Sequence, residues 1–330
     1  MLLQSFLEQS ASHQPDKVAL IINQSRYTYR ELEQQSNRLA HALLERGLQR
    51  GDRVAIHLDN SLEAVVAIFA TIKAGGVFVM VNPTTKIDKL TYVLNNCRAS
   101  VLIIPGKKRT SILEHSDLLP HLKTVVTVGP ATGHPEQTDL QMPRFAEWDQ
   151  LQSDFADQNT PPHIQTISID LAALVYTSGS TGNPKGVMLT HLNMTSAALS
   201  ITTYLRNVPE DIILNVLPLS FDYGLYQLLM AFRVGATLVL EKSFTYPHAV
   251  LQKIIDEKVT VIGTFNLDPR SANLNTECIA IIYSPQITAG VLRGMNIEFN
   301  ADNSWETTLR FNPDNEVSKM KRVKTWTRKI

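Results

Sequence analysis

Apolar positions recur through the first 260 or so residues with two alternating periods, one helical and one extended. Thr28 followed by Glu31 forms a capping box, and Leu32, Leu39, Ala40, Leu43 and Leu44 then share one helical face until Arg46 and Gly47 end the run. A strand over 53–58 follows, then a helix over 61–74, a strand over 77–81, a helix over 86–96 and a strand over 100–104. The alternation resumes with strand 171–176, helix 191–205, strand 212–217, helix 225–233, strand 237–240 and helix 247–257. Residues 1–8 read as a first helix. Helices alternating with strands predict an α/β fold of layered parallel and mixed sheets with flanking helices. Residues 129–165 are polar, proline-bearing and aperiodic, and read as a surface excursion rather than core.

The apolar stretch 64–81 is short of the roughly 20 residues that a membrane span needs, and Lys73 and Gly75-Gly76 interrupt it. A core helix ending at the glycines, followed by a buried strand, accounts for it better. The N-terminus lacks the basic start and long apolar run of a signal peptide, so a cytoplasmic location is expected. Cys97 and Cys278 form no C-x-x-C, so neither a disulfide framework nor a zinc site is indicated. With 31 basic and 31 acidic residues the net charge is zero, which gives no electrostatic ground for a nucleic-acid partner. His191, at a helix start with no second ligand at metal spacing, reads as structural, and no metal site is expected.

The densest chemistry lies behind the apolar strand 171–176. Thr177, Ser178, Gly179, Ser180, Thr181, Gly182 and Lys185 combine hydroxyl donors, glycines that let backbone N–H groups approach an anion, and a mobile positive charge. This is chemistry for gripping phosphate. It departs from the Walker pattern G-x-x-x-x-G-K-[ST], because Pro184 takes the place of the second glycine and Gly186 follows the lysine. A Ser/Thr/Gly-rich surface turn is the plainer alternative.

The segment 176–186 resembles the signature loop of the AMP-forming adenylating enzymes, the superfamily of acyl-CoA synthetases, peptide-synthetase adenylation domains and luciferases. The resemblance implies that the loop wraps the phosphates of ATP while a carboxylate attacks the α-phosphate and pyrophosphate leaves, with the acyl group passing later to a thiol such as that of CoA. It implies ATP and Mg²⁺ as cofactors and a small-molecule carboxylate, fatty acids among them, as partner. Ile72 to Val79 with Asn82-Pro83 is similar to an earlier family element, and its glycines read as structural. The segment 217–224 looks like the motif that enters the helix beside the acyl pocket, which puts Phe221 and Asp222 at the substrate. Many fatty acyl-CoA synthetases carry His at Phe221. In peptide-synthetase domains an Asp after Phe here pairs with the substrate's α-ammonium group; the alternative, preferred because Gly224 departs from the small-residue pattern that usually follows, is that Asp222 caps a helix beginning near Leu225, a position that favours Asp.

The family pattern covers roughly 1–258 and stops after residue 262. Residues 263–277 are similar to the end of a phospholipase D half-site of the cardiolipin synthase kind, whose motif runs His-x-Lys-x4-Asp-x6-Gly-[Ser/Thr]-x-Asn. Gly263, Thr264 and Asn266 match and Asp256 falls in place, but the nucleophile and phosphate-lysine positions hold Ala249 and Leu251. His248 and Lys253 lie out of register. The expected organisation is therefore an incomplete AMP-binding domain over 1–258 and a small α/β phospholipase D-like fragment over 259–330.

The adenylating family's later Tyr-Gly-x-Thr-Glu element with its magnesium-binding Glu, its ribose-binding Asp and its C-terminal domain with a catalytic Lys do not occur in these 330 residues. The expectation is an acyl ligase with impaired turnover, unless another chain supplies the rest. A non-catalytic nucleotide- or acyl-binding module and a phosphatidyl-transferring protein are the alternatives. The basic residues 318–330 read as a solvated helix, with contact to an anionic membrane the rival reading.

Overall fold

A computed structural model describes residues 1–131, 143–177, 184–242, 247–259, 261–263 and 279–281. The chain divides into two compact units, Met1–Val259 and Thr260–Ile330. The first opens with α1 (Ser5–His13), the hairpin β1 (Val18–Ile22) and β2 (Ser25–Thr28), and α2 (Tyr29–Glu45). Then come β3 (Arg53–Ile56), α3 (Leu62–Lys73), β4 (Val77–Met80), α4 (Ile87–Asn96), β5 (Ala99–Pro105) and α5 (Arg109–Leu113). They are followed by β6 (Thr124–Val128), β7 (Arg144–Glu147), α6 (Trp148–Asp154), β8 (Leu171–Thr177), β9 (Lys185–Thr190) and α7 (His191–Leu205). β10 (Ile212–Asn215), α8 (Asp222–Val234), β11 (Thr237–Leu240) and α9 (Pro247–Asp256) complete it. In the second unit, β12 (Val261–Gly263) pairs antiparallel with β13 (Ile279–Ile281).

One sheet of the first unit runs β7-β6-β5-β3-β4-β8-β9 and is parallel except for the antiparallel β8–β9 hairpin. A second runs β10-β11-β1-β2, with β10, β11 and β1 parallel. The expected α/β class, with parallel and mixed sheets and flanking helices, is the class observed. Parallel strands are covered on both faces, which is why β4 and β11 are buried at every position and β4 reads as an unbroken apolar run.

The local signals act as the residues dictate. Thr28 Oγ1 accepts the N–H of Glu31 and the Glu31 carboxylate accepts the N–H of Thr28, which starts α2. Ser61 Oγ accepts from Ala64 N to start α3, and Gly75, at φ +73°, lets the chain turn from that helix into β4. Every α3 residue from Ala64 to Lys73 is buried, because α3 packs against α2, β3 and β4 while Phe69 stacks on Phe232 of α8 with ring centroids 5.4 Å apart. Lys73 is tolerated there because Glu8 and Glu33 meet its ammonium at 2.9 and 2.8 Å. No helix among the described residues is long and apolar enough to cross a membrane.

Two expectations need correction. Residues 144–154, placed within a surface excursion, form β7 and α6; β7 extends the first sheet beside β6, and Trp148 and Leu151 are buried. The helix expected from Leu225 begins three residues earlier, at Asp222.

Candidate functional site

The predicted phosphate loop hangs on the β8–β9 hairpin. Thr177 and Lys185 are ladder partners that close it, and both are exposed. Ser178, Gly179, Ser180, Thr181 and Gly182 lie outside the described residues. The stem is held from α4, since the Tyr176 hydroxyl donates to Asn96 Oδ1 at 2.5 Å and the Tyr92 hydroxyl reaches the Pro184 carbonyl at 3.4 Å. Burial first, and then neighbouring Cys97, push the Tyr176 phenol up, so it stays a neutral donor at ordinary pH.

The second predicted segment, 217–224, is a tight connection from β10 into α8. Asn215, fully buried, holds it from below: its amide donates to Gly224 O at 2.9 Å and its Oδ1 accepts Leu217 N–H at 3.0 Å. Phe221 N–H closes a turn on Pro218 O at 3.0 Å. Gly224 is demanded by packing, because a Cβ there would sit 2.4 Å from Pro218 O.

Phe221 is the residue before the first turn of α8 and makes no side-chain cap; its ring is 51% exposed. Asp222 is inside the first turn, so the preferred cap is not the arrangement found. Its carboxylate is exposed and accepts the N–H of the next residue, Tyr223, at 2.8 Å. One helical turn on, the Tyr226 phenol is held above its ordinary range, chiefly by burial and then by the Asp222 charge, which places both groups in one neighbourhood.

The two segments emerge at the same end of the fold. Ile56 of β3 pairs with Met80 of β4, and Met80 with Val175 of β8, in parallel register. The ends of β3 and β8 therefore point the same way. From the end of β3, Asn60 reaches across to the backbone of Leu217, Leu219 and Glu241. Sequence reasoning missed this asparagine, whose partners lie 157 to 181 residues away.

His191 takes the structural role expected of it. It is 1% exposed and its Nδ1 accepts Leu3 N–H at 3.1 Å. His57, which the sequence reading also passed over, is buried at the end of β3; Lys108 Nζ donates to its Nε2 at 3.0 Å and to Pro83 O at 2.8 Å. Of the phospholipase D-like positions, Gly263 ends β12, opposite Ile279, while Thr264 and Asn266 lie outside the described residues.

Residues 7–266 match the family described as AMP-binding enzyme. The chain belongs to that family. A second match, to the cardiolipin synthase, PLD-like domain, covers residues 243–297 and overlaps the first. Among curated relatives, bacitracin synthase 1 of Bacillus licheniformis is 33% identical over 281 residues, covering 84% of this chain and 5% of that protein. Tyrocidine synthase 1 of Brevibacillus parabrevis is 29% identical over 311 residues, covering 94% of this chain and 26% of that protein. The chain thus spans about a quarter or less of the length of these relatives.

Among solved structures, a putative long-chain-fatty-acid CoA ligase from Rhodopseudomonas palustris CGA009 superposes with a TM-score of 0.71 at 26% identity, over 83% of this chain and 65% of that one. The anthranilate CoA ligase AuaEII, solved with anthranoyl-AMP, gives a TM-score of 0.69 at 26% identity, over 79% and 49%.

Proposed function

We propose that the AMP-binding part, residues 1–258, binds ATP by its phosphates through Thr177, Ser178, Gly179, Ser180, Thr181, Gly182 and Lys185. It presents the carboxylate of an amino acid against Phe221 and Asp222. The observation that carries this reading is the exposed Asp222 carboxylate, which caps no helix N–H two or three residues on and stands at the same end of the fold as the Thr177–Lys185 stem. An exposed carboxylate that spends one oxygen on the Tyr223 N–H keeps acceptor capacity for an α-ammonium group.

The chemistry is adenylate formation. A carboxylate oxygen attacks the α-phosphorus of ATP, and the bond to the bridging oxygen of pyrophosphate breaks. Lys185 and the loop's donors hold the phosphates that leave, and Asp222 holds the amino end of the acyl group. Mg²⁺ is implied by the family, but no cluster of three His, Cys, Asp or Glu side chains able to hold a metal occurs among the described residues, and no step here runs through it. Passage of the acyl group to a thiol such as CoA is a further step to which the described residues contribute no assigned group.

The stretch 243–297 that matches the cardiolipin synthase, PLD-like domain is read as inactive in phosphatidyl transfer, since Ala249 and Leu251 occupy the nucleophile and lysine positions.

Calorimetric titration with aminoacyl-sulfamoyl adenosines and their des-amino counterparts tests the substrate class. The amino series should bind at least about tenfold tighter, and Asp222→Asn should abolish the difference. Equal affinity of both series for the unaltered protein would remove the amino-acid reading and leave a plain acyl carboxylate.

A further inference from the structure

Asn60 stands at the point where the two sheets of the first unit meet. It lies in the short connection between β3, which ends at Ile56, and Ser61, whose hydroxyl starts α3. Its side chain is all but buried, at 4% exposure. The amide donates to Leu217 O at 2.9 Å and to Glu241 O at 2.8 Å, and Oδ1 accepts Leu219 N–H at 2.9 Å. Three of the four hydrogen-bonding sites of the side chain are used.

The partners explain why an amide is needed. β10 ends at Asn215, so the carbonyl of Leu217 and the N–H of Leu219 lie beyond the ladder and must find partners elsewhere. Asn215 satisfies Leu217 N–H and Gly224 O from within the same strand end, which closes the 217–224 turn on itself. Asn60 does something different, because it ties that turn to the sheet whose β8–β9 hairpin carries the phosphate loop. An aspartate would turn an oxygen toward two carbonyls, and an alanine would leave two half-buried acceptors and the buried Leu219 N–H without this partner.

We infer that Asn60 is a positioning residue for the carboxylate site, setting Phe221 and Asp222 relative to the sheet that carries the Thr177–Lys185 stem. This rests on the reading of Phe221 and Asp222 as the substrate pocket. Joining two bound reactants depends on their separation, and a misplacement of about 1 Å can cost on the order of 10²-fold. A residue that spans the two sheets controls that separation without touching either reactant.

The test compares Asn60→Ser with Asn37→Ser. Asn37 is equally buried and bonds Glu33 Oε1 at 3.1 Å and Asn159 O at 2.7 Å, away from the 217–224 turn. ATP and the aminoacyl-sulfamoyl adenosine series are titrated into each full-length protein, and amide hydrogen exchange is followed over residues 217–225. Asn60→Ser should lower the affinity for the sulfamoyl probes about tenfold, change that for ATP less than twofold, and release protection at 219–225. Asn37→Ser should lower the melting temperature without altering the ratio of the two affinities.

If Asn60→Ser does not fold, Asn60→Gln, which keeps the amide but displaces it by one methylene, gives the same readouts. An unchanged affinity ratio in the Asn60 variants, with the unaltered protein binding the probes, overturns the positioning role alone. If the unaltered protein binds ATP and none of the sulfamoyl probes, the carboxylate pocket fails and the role of Asn60 fails with it.

Discussion

His191 Nδ1 accepts the backbone N–H of Leu3 at 3.1 Å, joining residues 188 apart through a ring that is almost fully buried. The bond requires a neutral imidazole. Burial pushes His191 down to about 4, and burial followed by the Lys108 charge pushes His57 down to about 4 as well, from an ordinary 6.5. In the unfolded chain both rings take a proton near pH 6.5, while in the folded chain they resist it. Their contribution to stability is therefore complete above about pH 6.5 and is lost as pH falls toward 4. At about 1.4 kcal/mol per pKa unit, each ring should cost on the order of 2 kcal/mol by pH 5. Thermal melts from pH 7.5 to 4.5 should show this fall, and His191→Asn, which keeps an acceptor without the titration, should make it shallower. An acid slope unchanged in that variant would show that His191 is not its source.

Lys73 joins three helices through one ammonium, bonded to Glu8 of α1 and Glu33 of α2 from its own place on α3. Its side chain is wholly shielded, so Lys73→Met fits the volume but leaves two carboxylates facing each other without a cation. The expected loss is about 3–5 kcal/mol by urea unfolding. Adding Glu8→Gln and Glu33→Gln to the same protein should recover most of it. A loss that persists in the triple variant would point to packing rather than to the uncompensated charges.

Much of the architecture was legible because the signals were local. Thr28 and Glu31 announced α2, and the glycines after Lys73 separated α3 from β4 in what might otherwise pass for one apolar run. β7 and α6 were not legible: only Trp148 and Leu151 of their eleven positions turn inward fully, too few to print a period on a polar stretch. β9 was missed for a related reason. Its first four residues are exposed, and it is held by ladder bonds to β8 that leave no hydrophobic trace. Phe221 and Asp222 are proposed for the site from a motif alone, whereas the role proposed for Asn60 depends on partners brought in by the second sheet.

Gly224 controls the entry to α8. Gly224→Ala would bring a Cβ to 2.4 Å from Pro218 O and 2.9 Å from Leu217 O, both backbone atoms with little freedom to move. The turn must open, which should cost about 1–3 kcal/mol. Because Asn215 holds Gly224 O, the strain should pass to that bond, and exchange of the Leu217 and Leu225 amides should quicken more than that of β11. Uniform acceleration across the first unit would show instead that the substitution destabilises it globally.

Lys185 separates the phosphate contribution from the fold. It is exposed and its backbone pairs with Thr177 whatever side chain it carries, so Lys185→Ala should leave the hairpin and the melting temperature essentially unchanged. A hydrogen bond to a charged group is worth about 1.5–3 kcal/mol, and about 1.4 kcal/mol is tenfold in affinity. The substitution should therefore weaken ATP binding by roughly tenfold or more while leaving adenosine unaffected, since adenosine has no phosphate for the lysine to meet. Raising the salt concentration should weaken ATP binding to the unaltered protein more than to the variant, because only the former has this charge pair to screen. Equal losses for ATP and adenosine would mean that Lys185 shapes the site rather than gripping phosphate, and unchanged ATP affinity would take the lysine out of the site altogether.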